Sequence, residues 1–442
     1  MAFSPAREAL FHEMRATARD IFLHAVGEAS IAKAFARHVH SERGVLRICE
    51  DLYDLQSHDQ VTVISIGKAG HSMAEALVNE VGASLTGIVA TPITPPAQLH
   101  AFRYFHGGHP LPNAESVHGA SAILKTLRGQ TAGSLVIFLI SGGGSAVVEK
   151  PIDDEISLDD LIATYRTLVH SGATIAEINA IRKHLSATKG GRLAQAAYPA
   201  RQVSIFVSDV PENALDALAS GPTLADSTSA ADCYRIAEKY GLESQFPASV
   251  RELLERGALE ETPKSDDPAF VNSRWWTVLS NQTAVEAACS EAERDGFVVQ
   301  FDNSCDDWDY EQAAGYLTER IRKLRQEFGR VCLISGGEVT VKVVNGGTGG
   351  RNQQFALACA EKIAGENITV LSAGTDGIDG NSLAAGAVVD GSTDARAREH
   401  GFEIRSALER FDAFPLFSAL GDAIETGPTG NNLRDLRILL AY

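Results

Sequence analysis

Short apolar runs that end in glycine or another small residue constrain the fold of this 442-residue chain more than any other feature. Five such runs occupy residues 61–67, 135–144, 203–210, 331–337 and 368–377. An apolar run of this length that stops at small residues is typical of a buried strand that opens into a loop. We therefore predict a strand in each run, with a loop at its carboxyl end.

Helical patterns lie between these runs. Residues 158–169 place apolar side chains at helical spacing, after a capping signal at Ser157 and Asp160 and before Gly172. The alternation of strands and helices predicts an α/β fold. In an open parallel sheet the carboxyl ends of the strands line the ligand crevice, and the glycine loops would fall there.

A polar stretch at residues 257–273, with Pro263 and Pro268, separates two halves that both show the α/β pattern. Linkers between domains have this composition. We predict two domains, 1–265 and 266–442.

The charge balance restricts the partners of the chain. It has 39 Lys and Arg against 57 Asp and Glu, a formal net charge of −18. Nucleic acids and anionic membranes attract basic proteins, so we expect neither as a partner and expect a small-molecule substrate. The sequence shows no apolar run long enough to span a membrane and no secretory segment near residue 1, so a cytoplasmic location is the expectation. Whether the chain forms a homodimer is left open.

The first motif, residues 65–77, places Lys68 in a Gly-Lys turn between a strand and a helix. A lysine at a helix start adds a point charge to exposed amides, which suits a carboxylate or a phosphate. The glycine spacing differs from the phosphate loop of nucleotide hydrolases, and Ala69 stands where Ser or Thr would bind magnesium. The alternative is a surface lysine in a tight turn.

The second motif is a turn made of Ser141, Gly142, Gly143, Gly144 and Ser145. Three glycines let backbone amides converge on one oxyanion, and the serines can donate further hydrogen bonds. The dinucleotide-binding pattern G-x-G-x-x-G is absent, which argues against a nicotinamide cofactor. A flexible turn without a ligand is the alternative.

A basic stretch at residues 178–193 is unusual in so acidic a chain. It contains Arg182, Lys183, His184, Lys189 and Arg192. We expect Arg182 and Lys183 to face outward or toward a cleft, because the apolar stripe of this helix lies elsewhere. The stretch is then either a solvated face or a surface that concentrates small anions.

Asp209 lies at the end of the strand-like run at 203–210. A carboxylate at a strand end suits magnesium or a general base, and an Asx turn or helix cap is the alternative. Asp376 and Asp379 lie at the end of the run at 368–377 and leave the same choice between metal binding and turn chemistry.

Residues 338–343 alternate like a half-exposed strand that begins at Glu338. A glycine-rich loop at 345–350 then delivers Arg351 and Asn352 to the start of a helix predicted for 353–361. An arginine at a helix start, on a loop long enough to move, can neutralise a transferring phosphoryl group. A mobile hairpin connection is the alternative.

Taken in order, these motifs resemble those of the glycerate 2-kinases of the two-domain type with a C-terminal MOFRL domain. The matching segments are GKAGHSMA, GGHPLPNAES, SGGGSA, INAIRKHLSATKGG, SDV with ASGPT, SGGEVTVKV, GGRNQQFALA, GTDGIDG and GPTGNN. Some members of the family were called hydroxypyruvate reductases of tartrate utilisation. The resemblance runs from about residue 8 to the carboxyl terminus.

The resemblance implies ATP- and Mg²⁺-dependent phosphorylation of D-glycerate on its 2-hydroxyl, which gives 2-phosphoglycerate. It also implies two different α/β domains, the first with a flavodoxin-like or Rossmann-like parallel sheet, and an active site in the cleft between them. Lys68 and Arg351 match the accepted catalytic side chains of the family. The chain departs from the family pattern at residues 211–214, at Gln354 and at 381–383, where a third carboxylate of the family is absent.

The candidate site follows from the motifs and the resemblance together. Lys68 and Arg351 are the candidate catalytic residues, and Asp209 and Asp376 are the candidate Mg²⁺ ligands. The candidate cofactor-binding residues are Ser141, Gly142, Gly143, Gly144, Ser145, Lys189, Glu338 and Asn352. An NAD(P)H-dependent hydroxypyruvate reductase and a non-catalytic nucleotide-sensing protein are the alternatives. The hydroxy-acid preference, the 2- or 3-phosphate product and the general base stay open.

Overall fold

The computed structural model describes residues 3–82, 85–344 and 346–442, and at Glu212 the backbone alone. The chain forms two compact units, which we name for their place in the sequence. The central unit is Ile31–Val278, and the terminal unit combines Met1–Ser30 with Leu279–Tyr442. Asn345, at the start of the predicted arginine loop, lies outside the described residues.

The strands of the described residues are numbered in chain order. They are β1 (Val39–Glu42), β2 (Val45–Ile48), β3 (Asp51–Asp54), β4 (Gln60–Ile66), β5 (Thr86–Ala90), β6 (Phe102–Phe105), β7 (Ser134–Ser141), β8 (Arg201–Val207), β9 (Ser273–Leu279), β10 (Val298–Phe301), β11 (Val331–Gly337), β12 (Ile368–Gly374), β13 (Gly386–Asp390), β14 (Ala423–Ile424) and β15 (Asp435–Ala441).

The helices are numbered in the same way. They are α1 (Pro5–Glu28), α2 (Ile31–His38), α3 (Gly70–Val81), α4 (Ala114–Arg128), α5 (Gly144–Val147), α6 (Leu158–His170), α7 (Ile175–His184), α8 (Arg192–Ala197), α9 (Ala230–Lys239), α10 (Ala248–Glu255), α11 (Asn281–Arg294), α12 (Tyr310–Phe328), α13 (Arg351–Lys362), α14 (Thr393–Glu399), α15 (Ile404–Arg410) and α16 (Ala413–Leu420). Short 3₁₀ segments occur at Leu55–Ser57, Glu212–Ser220, Glu243–Gln245 and Pro268–Phe270.

The main sheet of the central unit has the strand order β6-β5-β4-β7-β8-β9. The pairs β4·β5, β4·β7, β5·β6 and β7·β8 are parallel. All of β7 is buried, as expected for a central strand covered on both faces. From β4 the chain first moves to β5 and β6 and then returns to β7 on the other side. This reversal places the topological switch point between β4 and β7. Ligands of such sheets bind at the carboxyl ends of the strands at this point.

The terminal unit contains a mixed sheet with the order β10-β11-β15-β12-β13-β14. Its last strand, β15, runs antiparallel to both neighbours. Asp435, the first residue of β15, is in register with Gly337 at the end of β11 and with Gly374 at the end of β12. The reversed direction of β15 therefore brings its first residue to the edge where β11 and β12 end.

The α/β class and the two different α/β domains are confirmed, and all of the predicted apolar runs form strands (β4, β7, β8, β11 and β12). Ser157 caps α6 by accepting a hydrogen bond of 3.0 Å from the backbone N–H of Asp160. The strand predicted at 338–343 is wrong. Gly337 has φ +88, after which only Thr340 pairs, in an isolated bridge to Asp309.

The first helix belongs to the terminal unit by packing. Met14, Ala18, Ile21 and Phe22 of α1 share a buried apolar cluster with residues of β11, β12 and β15. A boundary placed only at the linker 257–273 assigns α1 to the first domain, whereas α1 packs in the terminal unit. The domain limits 1–265 and 266–442 stay a prediction. Among the described residues, no helix combines the length and apolarity that a membrane span requires.

Candidate active site

Lys68 lies in the turn between β4 and α3, at the switch point of the central sheet. Gly67 precedes it with φ +115, and a Cβ at this glycine would overlap the carbonyl and hydroxyl oxygens of Ser141. The backbone N–H of Lys68 donates to the carbonyl oxygen of Gly142 at 2.9 Å. The turn therefore requires glycine at position 67, and it fixes Lys68 beside the glycine turn that follows β7.

The Ser141–Ser145 turn is joined to the Lys68 turn through a buried hydroxyl. Ser141 Oγ accepts from the N–H of Ala69 at 3.0 Å and donates to the carbonyl oxygen of Ile66 at 3.2 Å. Gly143 has φ +79 and precedes α5. The first amides of α5 have no acceptor within their own helix, so they can bind an anion. The side chain of Ser141 instead faces inward, and its predicted role in cofactor binding stays a prediction.

Two further side chains lie on this glycine turn. The carboxylate of Asp209, which follows β8, lies so close to Gly142 that a Cβ there would overlap it. A Cβ on Gly143 would lie 3.0 Å from His109 Cδ2 and 3.1 Å from Lys68 Cγ. The sequence predicted Lys68 and Asp209 as parts of the site, and the structure brings both to one turn.

Lys189 supports the turn from inside the protein. Its ammonium donates to the carbonyl oxygen of Ser145 at 2.7 Å and forms a short ion pair with Glu149. Both side chains are buried. Burial lowers the pKa of Lys189, and the charge of Glu149 opposes that effect. Ser145 itself shares a hydroxyl hydrogen bond of 2.9 Å with Ser220. Binding of a cofactor by Lys189 stays a prediction.

The basic stretch does not form an open surface. Lys183, expected to face outward or toward a cleft, is only 2% exposed, so that expectation is wrong. Its ammonium lies 2.8 Å from Asp216 and 3.1 Å from Asp226. His184 is likewise buried, 3.0 Å from Glu261. Carboxylates from distant parts of the sequence therefore accept hydrogen bonds from Lys183 and His184 where these side chains are buried.

In the terminal unit, Arg351 is the first residue of α13 and is held by two carboxylates. Its Nε lies 2.6 Å from Asp435 Oδ2 and its Nη2 lies 3.0 Å from Asp435 Oδ1. Nη2 also lies 2.7 Å from Glu338 Oε1. Burial alone would lower the pKa of Arg351, but these hydrogen bonds and charges raise it. Burial raises the pKa of Glu338, and the charge of Arg351 opposes this.

Asp379 caps the start of α13. Its carboxylate accepts from the backbone N–H groups of Asn352 at 3.1 Å and of Gln353 at 2.9 Å. Burial raises the pKa of Asp379 to about 6, against the effect of these hydrogen bonds. The side chain of Asn352 is also buried, and its Oδ1 accepts from Ser372 Oγ at 2.7 Å. Cofactor binding by Asn352 stays a prediction.

A cavity of about 820 Å³ opens beside Arg351. Charged side chains line much of it, and among them are Asp307, Glu338, Asp376, Arg434 and Asp435. Carboxylates outnumber cations in this set. The described residues contain no group of three or more His, Cys, Asp or Glu side chains arranged to hold a metal ion. Asp376 is one of the carboxylates that line this cavity.

Sequence reasoning missed three parts of this arrangement: Asp435, the pair formed by Arg434 with Asp306 at 2.6 and 2.7 Å, and His109. The search for polar residues after strands passed over Asp435 because it precedes one. An acidic residue directly before the last apolar run was the available signal. His109 stood within a motif of the family resemblance without any assigned role.

Comparisons with known proteins agree with this architecture. Residues 17–255 match a family model described as Domain of unknown function (DUF4147), and residues 331–435 match the MOFRL family. Glycerate 2-kinase of Pyrococcus horikoshii is 35% identical over 436 residues, which cover 96% of this chain and 97% of that protein. A protein of Agrobacterium vitis provisionally named hydroxypyruvate reductase is 36% identical over 86% of each chain. The crystal structure of glycerate kinase from Thermotoga maritima matches with a TM-score of 0.86 at 31% identity, covering 98% of this chain and 100% of that chain.

Proposed function

The chain belongs to the glycerate kinase family, with a DUF4147 domain and a MOFRL domain, and on that premise we propose that it phosphorylates D-glycerate. The proposed donor is ATP with Mg²⁺, and the proposed acceptor is the 2-hydroxyl, which gives 2-phosphoglycerate. The names of relatives support the reaction, since the Pyrococcus horikoshii protein is called a glycerate 2-kinase.

The observation that carries the proposal is the position of Lys68 on the glycine turn at the switch point. Phosphoryl transfer depends mainly on positioning and charge neutralisation and needs no covalent nucleophile from the protein. Lys68 supplies a point charge, and the amides at the start of α5 supply oriented donors. We assign this turn to phosphate oxygens or to the glycerate carboxylate.

We assign Arg351 to the same reaction as Lys68, although the two belong to different units. Asp435 and Glu338 hold its guanidinium in a fixed orientation at the cavity. A planar guanidinium suits phosphoryl oxygens because it can donate two parallel hydrogen bonds. Arg351 would therefore stabilise charge on the transferring group, with Glu338 as its partner.

The side chains fit a magnesium nucleotide. Mg²⁺ in such sites is held by one or two carboxylates together with waters and substrate phosphates, and it neutralises phosphate charge when bound. Asp209 beside Gly142 and Asp376 at the cavity each provide one carboxylate. Lys68 and Arg351 would then neutralise the charge that remains on the phosphoryl oxygens.

The test is a product spectrum. Purified protein with ATP, MgCl₂ and D-glycerate is expected to give 2-phosphoglycerate and ADP by ³¹P NMR, and no phosphoglycerate would refute the proposal. The same protein with NADH and hydroxypyruvate separates the reductase alternative, since NADH oxidation would be seen at 340 nm. Tight ATP binding by calorimetry without product from any hydroxy acid would indicate a nucleotide sensor.

A further inference from the structure

The reaction proposed above leaves one chemical role without a residue. When the acceptor hydroxyl attacks a phosphorus atom, its proton must leave, and a positioned base assists that step. The hydroxyls of Ser141 and Ser145 on the glycine turn, and that of Ser220 bonded to Ser145, are already hydrogen-bonded within the protein. The carboxylate of Asp209 is assigned to the metal ion.

His109 lies at the right place for this role. One edge of its imidazole faces Gly143, and the stem of Lys68 approaches the same glycine. The residue is exposed overall, and among the described residues neither ring nitrogen has a hydrogen-bond partner. A nitrogen of this ring is therefore open to a substrate that binds at the glycine turn.

Two contacts fix the segment that carries His109. Gly107 packs so closely on Val147 of α5 that a Cβ would overlap the carbonyl oxygen of Val147. The N–H of Gly108 donates to Ser116 Oγ at 2.9 Å, and Ser116 is in turn bonded to Asn113, the cap of α4. Two helices thus hold the backbone next to His109, as a base aimed at one atom requires.

The electrostatic surroundings favour the neutral form of His109. Partial burial of the ring and the positive charge of Lys68 both lower its pKa. Other charged groups at the turn are Asp209, on the Gly142 side, and the buried pair of Lys189 with Glu149 behind Ser145. A neutral imidazole can accept a proton, and the neighbouring Lys68 favours its later release to solvent.

We propose that His109 is the general base that accepts the proton of the acceptor hydroxyl, an inference that rests on the kinase function proposed above. The hydroxyl oxygen forms a bond to the γ-phosphorus of ATP. The bond from that phosphorus to the β,γ-bridging oxygen breaks, and ADP leaves with the electron pair. The hydroxyl proton moves to a ring nitrogen of His109, and the imidazolium returns it to water.

The experiment compares His109→Gln with the matched control His106→Gln, which changes an exposed histidine of the same segment. His109→Gln is expected to lower kcat by roughly 10²-fold, within the range for loss of a general base, with little change in the KM for glycerate. The control should keep wild-type kcat. The wild-type kcat/KM should fall at low pH with an apparent pKa equal to that of His109 measured by ¹H NMR, and His109→Gln should lose this limb.

The outcomes separate the two proposals. An active wild-type enzyme whose His109→Gln variant keeps its kcat or its acidic limb would overturn the base and leave the kinase intact. A wild-type enzyme that makes no phosphoglycerate overturns both. The NMR titration tests the proximity of Lys68 to His109 and does not depend on enzymatic activity. Lys68→Met should raise the pKa of His109, because it removes the positive charge that lowers it. An unchanged pKa would contradict the placement of both side chains at Gly143 and count against His109 as the base.

Discussion

Lys68 and Arg351 carry the same charge but reach their positions by different means. Lys68 is placed by backbone hydrogen bonds and by close packing at Gly67, and among the described residues no carboxylate lies within ion-pair distance of it. Arg351 is placed by its side chain, which Asp435 and Glu338 hold through hydrogen bonds. The ammonium of Lys68 is therefore available to a ligand, whereas the guanidinium of Arg351 is already bonded to two carboxylates.

The difference has a consequence for stability. Removing Lys68 leaves no carboxylate of the described residues without an ion-pair partner. Removing Arg351 leaves Asp435, which is 1% exposed, and Glu338 without the guanidinium that joins them. A buried charge that loses its partner destabilises a fold far more than the loss of an exposed one. The two residues should therefore share an effect on activity and differ in their effect on unfolding.

The largest expected effect belongs to Arg351→Ala. Loss of an arginine that stabilises a phosphoryl transition state lowers kcat by about 10³-fold or more, and the orphaned carboxylates should also lower the Tm. Rates from coupled ADP detection and a thermal melt measure both quantities. Arg405→Ala is the matched control, because it removes an exposed arginine that pairs with Glu361 and Glu409. A Tm equal to that of the control would contradict the proposed role of Asp435.

Lys68→Ala should lower kcat by roughly 10²- to 10³-fold, the range for removal of one preorganised group that stabilises transition-state charge. Its Tm should stay near that of wild type, since the turn is held by main-chain contacts of Gly67 and Gly142. Lys125→Ala, an exposed lysine of the same unit, is the control for both measurements. Retained activity would remove Lys68 from the mechanism. A Tm of Lys68→Ala as low as that of Arg351→Ala would contradict the proposed difference in stability between the two sites.

The same contrast explains what the sequence could predict. The Lys68 turn and the Ser141–Ser145 turn are local features, because an apolar run that ends in glycine specifies both a strand and the loop after it. Capping of α6 by Ser157 is equally local. These features needed no knowledge of distant partners.

The parts that were missed depend on residues far apart in the chain. Asp435 reaches Arg351 only because β15 runs antiparallel between β11 and β12. Lys183 is buried because Asp216 and Asp226 meet it there. The alternation at 338–343 predicted a strand, but a ladder needs a neighbouring strand, and only Asp309 pairs with that segment. The periodicity of one segment cannot identify the strand or side chain with which that segment pairs.

The smallest expected effect concerns Asp379, which caps α13 next to Arg351. It tests whether the stability of this end of the helix depends on pH. The pKa of Asp379 is about 6 in the folded protein against the ordinary value of 3.8, so its contribution to stability is greatest below pH 4 and is lost as the pH rises through 6. At about 1.4 kcal/mol for each pKa unit, the change amounts to about 3 kcal/mol at most.

Asp379→Asn removes this titration, so the Tm of wild type minus that of the variant should decrease by a few degrees between about pH 4 and pH 6. Groups common to both proteins cancel in the difference. Asp309→Asn removes the exposed carboxylate that caps α12 and isolates the effect of burial. A difference for Asp379→Asn that stays level, or that grows with pH, would show that the hydrogen bonds from Asn352 and Gln353 outweigh burial at this carboxylate.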